Sequence, residues 1–175
     1  LFVTSGLGGM SGAQALATRI TGATGIIAEV DPAAIDQRLQ DGYIEEENIY
    51  MDLEALVERA LELKHSGTAA SLVYRGNIVD LWEYLADQDI VVELGSDQTS
   101  LHNIENLGYC PVGYSFKEAQ ELLDRDKDRF LREVRSSLRR QVDAINTLSE
   151  NGMYFWDYGN AFLKEAGEAD SDIWE

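Results

Sequence analysis

Apolar positions come in short runs and helical stripes separated by glycine-rich or polar breaks, a pattern that predicts strands joined by helices. Leu1-Phe2-Val3-Thr4 reads as a short buried strand that runs straight into Ser5-Gly6-Leu7-Gly8-Gly9-Met10-Ser11-Gly12. Ala13, Leu16, Ala17 and Ile20 follow at helical spacing, and Gly22 is placed to stop that helix. Gly25 to Val30 predicts a second strand, ended by Asp31-Pro32. The alternation then repeats. Leu53, Leu56, Val57, Ala60, Leu61 and Leu63 mark a helix, Ala70 to Val73 a strand, and Ile78 to Leu85 a helix. Ile90-Val91-Val92 predicts another strand, ending at a polar loop from Gly95 to Asn103. A long helix from Lys127 to Ser149 turns Leu131, Val134, Leu138, Ile145 and Leu148 inward, and Tyr154-Phe155-Trp156 predicts a last strand. Strands alternating with helices imply an α/β fold: an open parallel sheet with helices on both faces and right-handed crossovers. Residues 1–175 read as a single domain with an acidic tail after Ala166.

Composition narrows the partners. The chain has 175 residues, 45% of them hydrophobic, which suits one globular core. Fourteen basic against 32 acidic residues give a formal charge of −18, which disfavours nucleic acid. A dinucleotide is still allowed, because backbone N–H groups at a helix N-terminus hold phosphate without Lys or Arg. The lone cysteine, Cys110, makes no internal disulfide, and the expected setting is reducing and cytoplasmic. No apolar run approaches the roughly 18–20 residues that span a bilayer. The start inside a strand suggests a domain cut from a larger protein.

The glycine loop carries the chemistry. A glycine-rich turn after the first strand lets backbone approach a pyrophosphate, and the following helix offers its positive end. Glu29 lies 20 residues past Gly9, at the end of the second strand, where an acid would accept from a ribose hydroxyl. A strict G-x-G-x-x-G from Gly6 would need glycine at position 11, where Ser11 stands. A tight strand-to-helix turn alone would also explain these glycines.

Five further motifs occur in one order: Gly8-Gly9-Met10-Ser11-Gly12-Ala13-Gln14, Ala28-Glu29-Val30-Asp31, Arg75-Gly76-Asn77, Gly95 to His102, and Phe155 to Phe162. Together with the helix segment Ser137 to Asn146, the chain closely resembles the central, Rossmann-like domain of the urocanases, from Leu1 to about Ala166. The resemblance implies a hydro-lyase that adds water to urocanate, giving imidazolonepropionate in histidine breakdown. It implies tightly held NAD⁺ used as an electrophile, and a cytoplasmic homodimer as the full-length parent. Carried over motif by motif, Gly9, Met10 and Ser11 would lie against the pyrophosphate and Glu29 would hold the adenosine ribose. Asn77 and Ile78 would line the next part of the cleft. Gln98, Thr99, Ser100, Leu101 and His102 would form a second loop over the cofactor, followed by Tyr109 and Cys110, and Tyr158 would close the site.

Many urocanases have glycine where Ser11 stands, and some an arginine on the cofactor where Ala34 stands. The family's essential cysteine and main substrate residues belong to a surrounding core domain that this chain lacks; Cys110 matches a cofactor-lining position instead. No catalytic residue is therefore expected in this chain, and it is expected to be inactive alone. Loss of Glu29 is expected to weaken NAD⁺ binding while sparing the fold, as for a strand-end acid beside solvent.

Plainer roles fit several residues. His102 serves as well to prop a loop as to carry a proton, and His65 reads as solvated at a helix end. Asx turns account for Asp97 and Asp157. Trp82 and Trp156 read as core, and Glu45-Glu46-Glu47 as a solvated face, not a metal site. Two other functions compete. A short-chain dehydrogenase would need Tyr-x-x-x-Lys, and none of the eight tyrosines has lysine four residues on. A non-catalytic nucleotide-binding module is compatible with the composition.

Overall fold

The computed structural model describes residues 1–158 and 160–173. Six strands form one sheet: β1 (Phe2–Ser5), β2 (Thr24–Glu29), β3 (Ile49–Tyr50), β4 (Ala70–Arg75), β5 (Leu94–Asp97) and β6 (Tyr154–Asp157). Their order is β3-β4-β2-β1-β5-β6, with every pairing parallel. The helices are α1 (Ala13–Ile20), α2 (Pro32–Gln40), α3 (Leu53–Ser66), α4 (Ile78–Asp87), α5 (Phe116–Arg125), α6 (Lys127–Glu150) and α7 (Ala161–Glu168). The chain builds outward from β1 through β2, then returns to place β5 on the other flank of β1. Strand order therefore reverses between β1 and β5, and a crevice opens beyond their carboxyl ends, where open α/β sheets bind ligands.

Side chains alternate across the sheet as the strand period requires. Ile26, Ala28, Leu72 and Tyr74 face the larger core, with Leu56, Trp82, Leu138 and Ile145 from α3, α4 and α6. Ile27 and Val73 face a smaller core under Ala15 of α1 and Ile35 of α2. Helices do cover both faces, but unequally. Along β5 and β6 the α1 side is bare, leaving Leu94 43% and Tyr154 68% exposed. Trp156 lies there half-buried, stacked on Phe2 at 5.7 Å, and is not the core residue expected; Trp82 is fully buried.

The strand expected at Ile90–Val92 is displaced to Leu94–Asp97. Ile90 N–H closes the end of α4 on the Leu85 carbonyl, and Asp89 turns left-handed with φ +50°. Val92 plugs the core while Val91 is exposed, so this apolar run is a connection. The true strand is polar because its neighbours demand it. A Cβ on Gly95 would come within 2.7 Å of the Met153 sulfur, and Ser96 Oγ pairs with Thr4 Oγ1 at 2.8 Å. Asp31-Pro32 both ends β2 and starts α2: Asp31 caps Ala33 N–H at 2.9 Å and Pro32 takes the first helical position. Helix α5 opens on a complete capping box of Ser115 and Glu118. The expected acidic tail is docked instead. Ala169 is buried, its carbonyl accepts from Arg139, and Asn146 holds the Asp172 carbonyl.

Candidate functional site

Gly6 sets the first wall of the crevice. It leaves β1 with φ +89°, a conformation glycine alone adopts without cost, and a Cβ there would meet Ser11 Oγ at 2.9 Å. Leu7 is buried in the smaller core and anchors the turn. Beyond it the N–H groups of Gly8, Gly9, Met10 and Ser11 have no acceptor among the described residues, and α1 begins at Ala13 without a side-chain cap. The turn thus carries four free donors just ahead of the positive end of α1.

Glu29 ends β2 beside this turn. Its Oε2 accepts from Leu7 N–H at 2.6 Å, and its Oε1 accepts from Val30 and Asp31 N–H at 2.8 and 2.9 Å. Burial raises its carboxyl above the usual range, and these three N–H bonds only partly offset that. Glu29 therefore ties the glycine loop to the sheet. This corrects the expectation that the fold would be indifferent to its loss. With two donors Oε1 is saturated, and Oε2 retains one lone pair for a further donor.

The third wall follows β4. Asn77 Oδ1 caps α4 through Val79 N–H at 2.9 Å, and its Nδ2 donates to the Cys110 carbonyl at 2.8 Å. Burial, with the Glu29 charge second, pushes the Cys110 thiol up to about 12, so it is a neutral thiol at physiological pH. The fourth wall is the loop after β5. Asp97 is 1% exposed. Its Oδ1 accepts from both N–H and Oγ1–H of Thr99, and its Oδ2 from Ser5 Oγ (3.1 Å) and Gln141 Nε2 (2.9 Å). Gln141 in turn accepts from the buried Tyr109 hydroxyl at 2.8 Å. Burial raises the Asp97 carboxyl despite these bonds, and holds the Tyr109 phenol far above its ordinary value. Asp97 makes the expected Asx turn, but it is also the hub of a buried network.

These walls enclose a cleft of about 290 Å³. Of the residues selected from sequence, Ser11, Glu29, Asn77, Ile78, Gln98, Thr99, Ser100, Tyr109 and Cys110 line it together. Gly9 and Met10 project from the turn into solvent, Met10 being 89% exposed. Leu101 is buried behind the second loop, and His102 is exposed on its outer side. Tyr158 stands outside the cleft wall, 54% exposed, with its ring edge-on to Trp156. Asp31, Ala34, Asn103 and Asn106 also line the cleft. Asn103 and Asn106 continue the second loop past the motif that ends at His102, in a 3₁₀ turn (Leu101–Asn106). Gln141 carried no sequence signal, being one polar residue in a long helix. Among the described residues, no Lys, Arg or His lines the cleft and no cluster could hold a metal.

Comparison with known proteins agrees with this geometry. The family model of the urocanase Rossmann-like domain matches residues 1–173. Urocanate hydratase from Mus musculus and from Homo sapiens are each 49% identical over 99% of this chain. A probable urocanate hydratase from Dictyostelium discoideum is 50% identical over the same share. The chain spans about a quarter of the length of these curated relatives, 26%, 26% and 25% respectively. The chain thus belongs to the urocanase family, as its Rossmann-like domain.

Proposed function

We propose that this domain binds NAD⁺ for a urocanate hydratase, which adds water to urocanate to give imidazolonepropionate in histidine breakdown. The observation that carries the reading is the run of four unpartnered N–H groups from Gly8 to Ser11, with Glu29 beside it at the end of the next strand. Backbone donors suit a diphosphate where no basic side chain lines the cleft. Gly9, Met10 and Ser11 would hold the diphosphate by their N–H groups, and Glu29 the adenosine ribose by the remaining lone pair of Oε2. Asn77 and Ile78 would continue the site. Gln98, Thr99, Ser100, Leu101 and His102 would cover it, beside Tyr109, Cys110 and Tyr158. NAD⁺, when bound, supplies an electron-withdrawing ring that makes the substrate's conjugated system easier to protonate and hydrate.

This chain's residues bind and orient; none is assigned a bond-making step. The neutral Cys110 thiol suits a lining role. A volume of about 290 Å³ sits at the lower edge of small-molecule sites, about 300–1,000 Å³. The remainder of the longer protein would complete the pocket and bring the essential cysteine and substrate contacts. That parent is proposed to be a cytoplasmic homodimer. The test follows urocanate absorbance and NADH fluorescence together in the full-length protein. Loss of urocanate without free NADH supports the hydratase; NADH in proportion to turnover would move the assignment to a dehydrogenase.

A further inference from the structure

We propose that Asp97 is a positioning residue. Through Ser5 on one side and Thr99 on the other, its buried carboxylate sets the spacing between the glycine loop and the loop starting at Gln98. The inference rests on the dinucleotide reading above and identifies what keeps that site open.

Ser5 and Asp97 are the last residues of β1 and β5, the two strands between which the sheet order reverses. Strand pairing between them covers only Phe2 with Leu94 and Val3 with Gly95, so the ladder ends before either loop begins. Beyond it, side chains take over. Thr4 Oγ1 meets Ser96 Oγ at 2.8 Å, Ser5 Oγ donates to Asp97 Oδ2, and Ser5 Oγ accepts from Gln98 N–H at 3.2 Å. One hydroxyl thus touches both the carboxylate and the first residue of the second loop. The other carboxylate oxygen bends that loop back through Thr99. Gln141 links the same carboxylate to Tyr109, at the far end of the loop and in the cleft wall.

All the partners of Asp97 are neutral donors, so no opposite charge offsets the burial of its carboxylate. What it supplies is direction: four donors fixed on one carboxylate hold three segments at set distances.

The test uses the full-length protein that contains this chain, titrated with NAD⁺ by calorimetry, with amide hydrogen exchange of the free protein beside it. Asp97→Asn places an NH₂ group toward one pair of donors. It should weaken NAD⁺ binding about tenfold or more, the usual consequence of losing a charge-assisted bond. Exchange at Gln98 and Thr99 should accelerate while the sheet stays protected. The double exchange Asp97→Asn/Gln141→Glu returns a donor–acceptor pair to that contact and keeps an acceptor for Tyr109. It should recover affinity together with slow exchange at Gln98 and Thr99; recovered protection without recovered affinity would overturn the proposal. If Asp97→Asn fails to fold, Ser5→Ala removes the tie between the loops and should weaken binding severalfold, with faster exchange at Gln98, in a protein that still unfolds in one cooperative transition. Wild-type affinity with unaltered exchange in either variant would overturn the proposal. Should the wild type itself not bind NAD⁺, the dinucleotide reading falls, while the exchange data still decide whether Asp97 couples the two loops.

Discussion

Glu29, proposed above to hold the ribose, is also a fastener within the domain. Its three backbone N–H partners explain why an acid stands at this strand end even before any ribose is considered. Removing it should cost both functions. Glu29→Ala frees the Leu7 amide, so the domain should lose about 1–3 kcal/mol of stability as a buried donor goes unmet. NAD⁺ affinity should fall roughly ten- to hundredfold, the equivalent of 1.5–3 kcal/mol. Urea unfolding and titration calorimetry measure the two effects, and loss of affinity at unchanged stability would contradict the fastening role. The pH dependence has a definite sign. Burial raises the folded-state value of Glu29 above the ordinary 4.5, so the folded protein holds this proton more tightly than the unfolded chain. The contribution to stability is zero below that ordinary value, becomes progressively unfavourable as pH rises through the folded value, and is constant above it. Asp97 acts in the same direction from its ordinary 3.8. Unfolding free energies measured against pH should therefore slope downward less steeply in Glu29→Gln than in wild type; equal slopes would show that the carboxyl is not perturbed.

At the scale of elements, the strand that builds the second loop is held by fit. Gly95→Val would drive a branched side chain into Met153, Phe155 and Trp82. Overpacking of this kind typically costs about 1–3 kcal/mol. A lower urea midpoint should reveal it, while Gly9→Ala, with open space around it and no left-handed backbone, should shift stability less. The same strand marks where sequence stopped being informative. The strand–glycine turn–helix–strand unit was legible because β1, α1 and β2 each carry their own period and the turn its own glycines. Leu94–Asp97 has neither an apolar run nor β-branched residues. Its extended form is imposed by β1 and β6 on either side, while the more strand-like Ile90–Val92 serves as a plug. Helix α5 was legible in principle from Ser115 and Glu118. Ser115→Ala tests that signal, with an expected loss of about 1 kcal/mol at the cap. Most of the cleft was readable because its residues sit in motifs at strand ends. The network beneath it was not, because Gln141 reaches Asp97 and Tyr109 only through packing of α6 against the sheet.

For the whole molecule, two features stand together: a crevice built at the reversal of strand order, and a sheet whose β5–β6 half is covered on one face only. The first is a binding architecture. The second leaves Leu94, Tyr154 and Trp156 with no helix of this chain over them among the described residues. With the chain spanning 26% of its mammalian relatives, the domain is proposed to work inside a larger protein. The 175-residue chain alone, even with NAD⁺ supplied, should leave urocanate absorbance unchanged; turnover proportional to this chain would contradict the assignment of catalytic groups elsewhere. Charge makes a further demand. The Glu29 and Asp31 carboxylates at the end of β2 should repel a 2′-phosphate, so NAD⁺ should bind better than NADP⁺. The most direct test of the central claim is a calorimetric titration of the full-length protein, stripped of bound nucleotide, with NAD⁺ and then with NADP⁺. Saturable binding of one NAD⁺ per chain, weakened by NADP⁺ substitution and by Glu29→Ala, is the predicted result. Absence of NAD⁺ binding, or binding indifferent to Glu29, would contradict it.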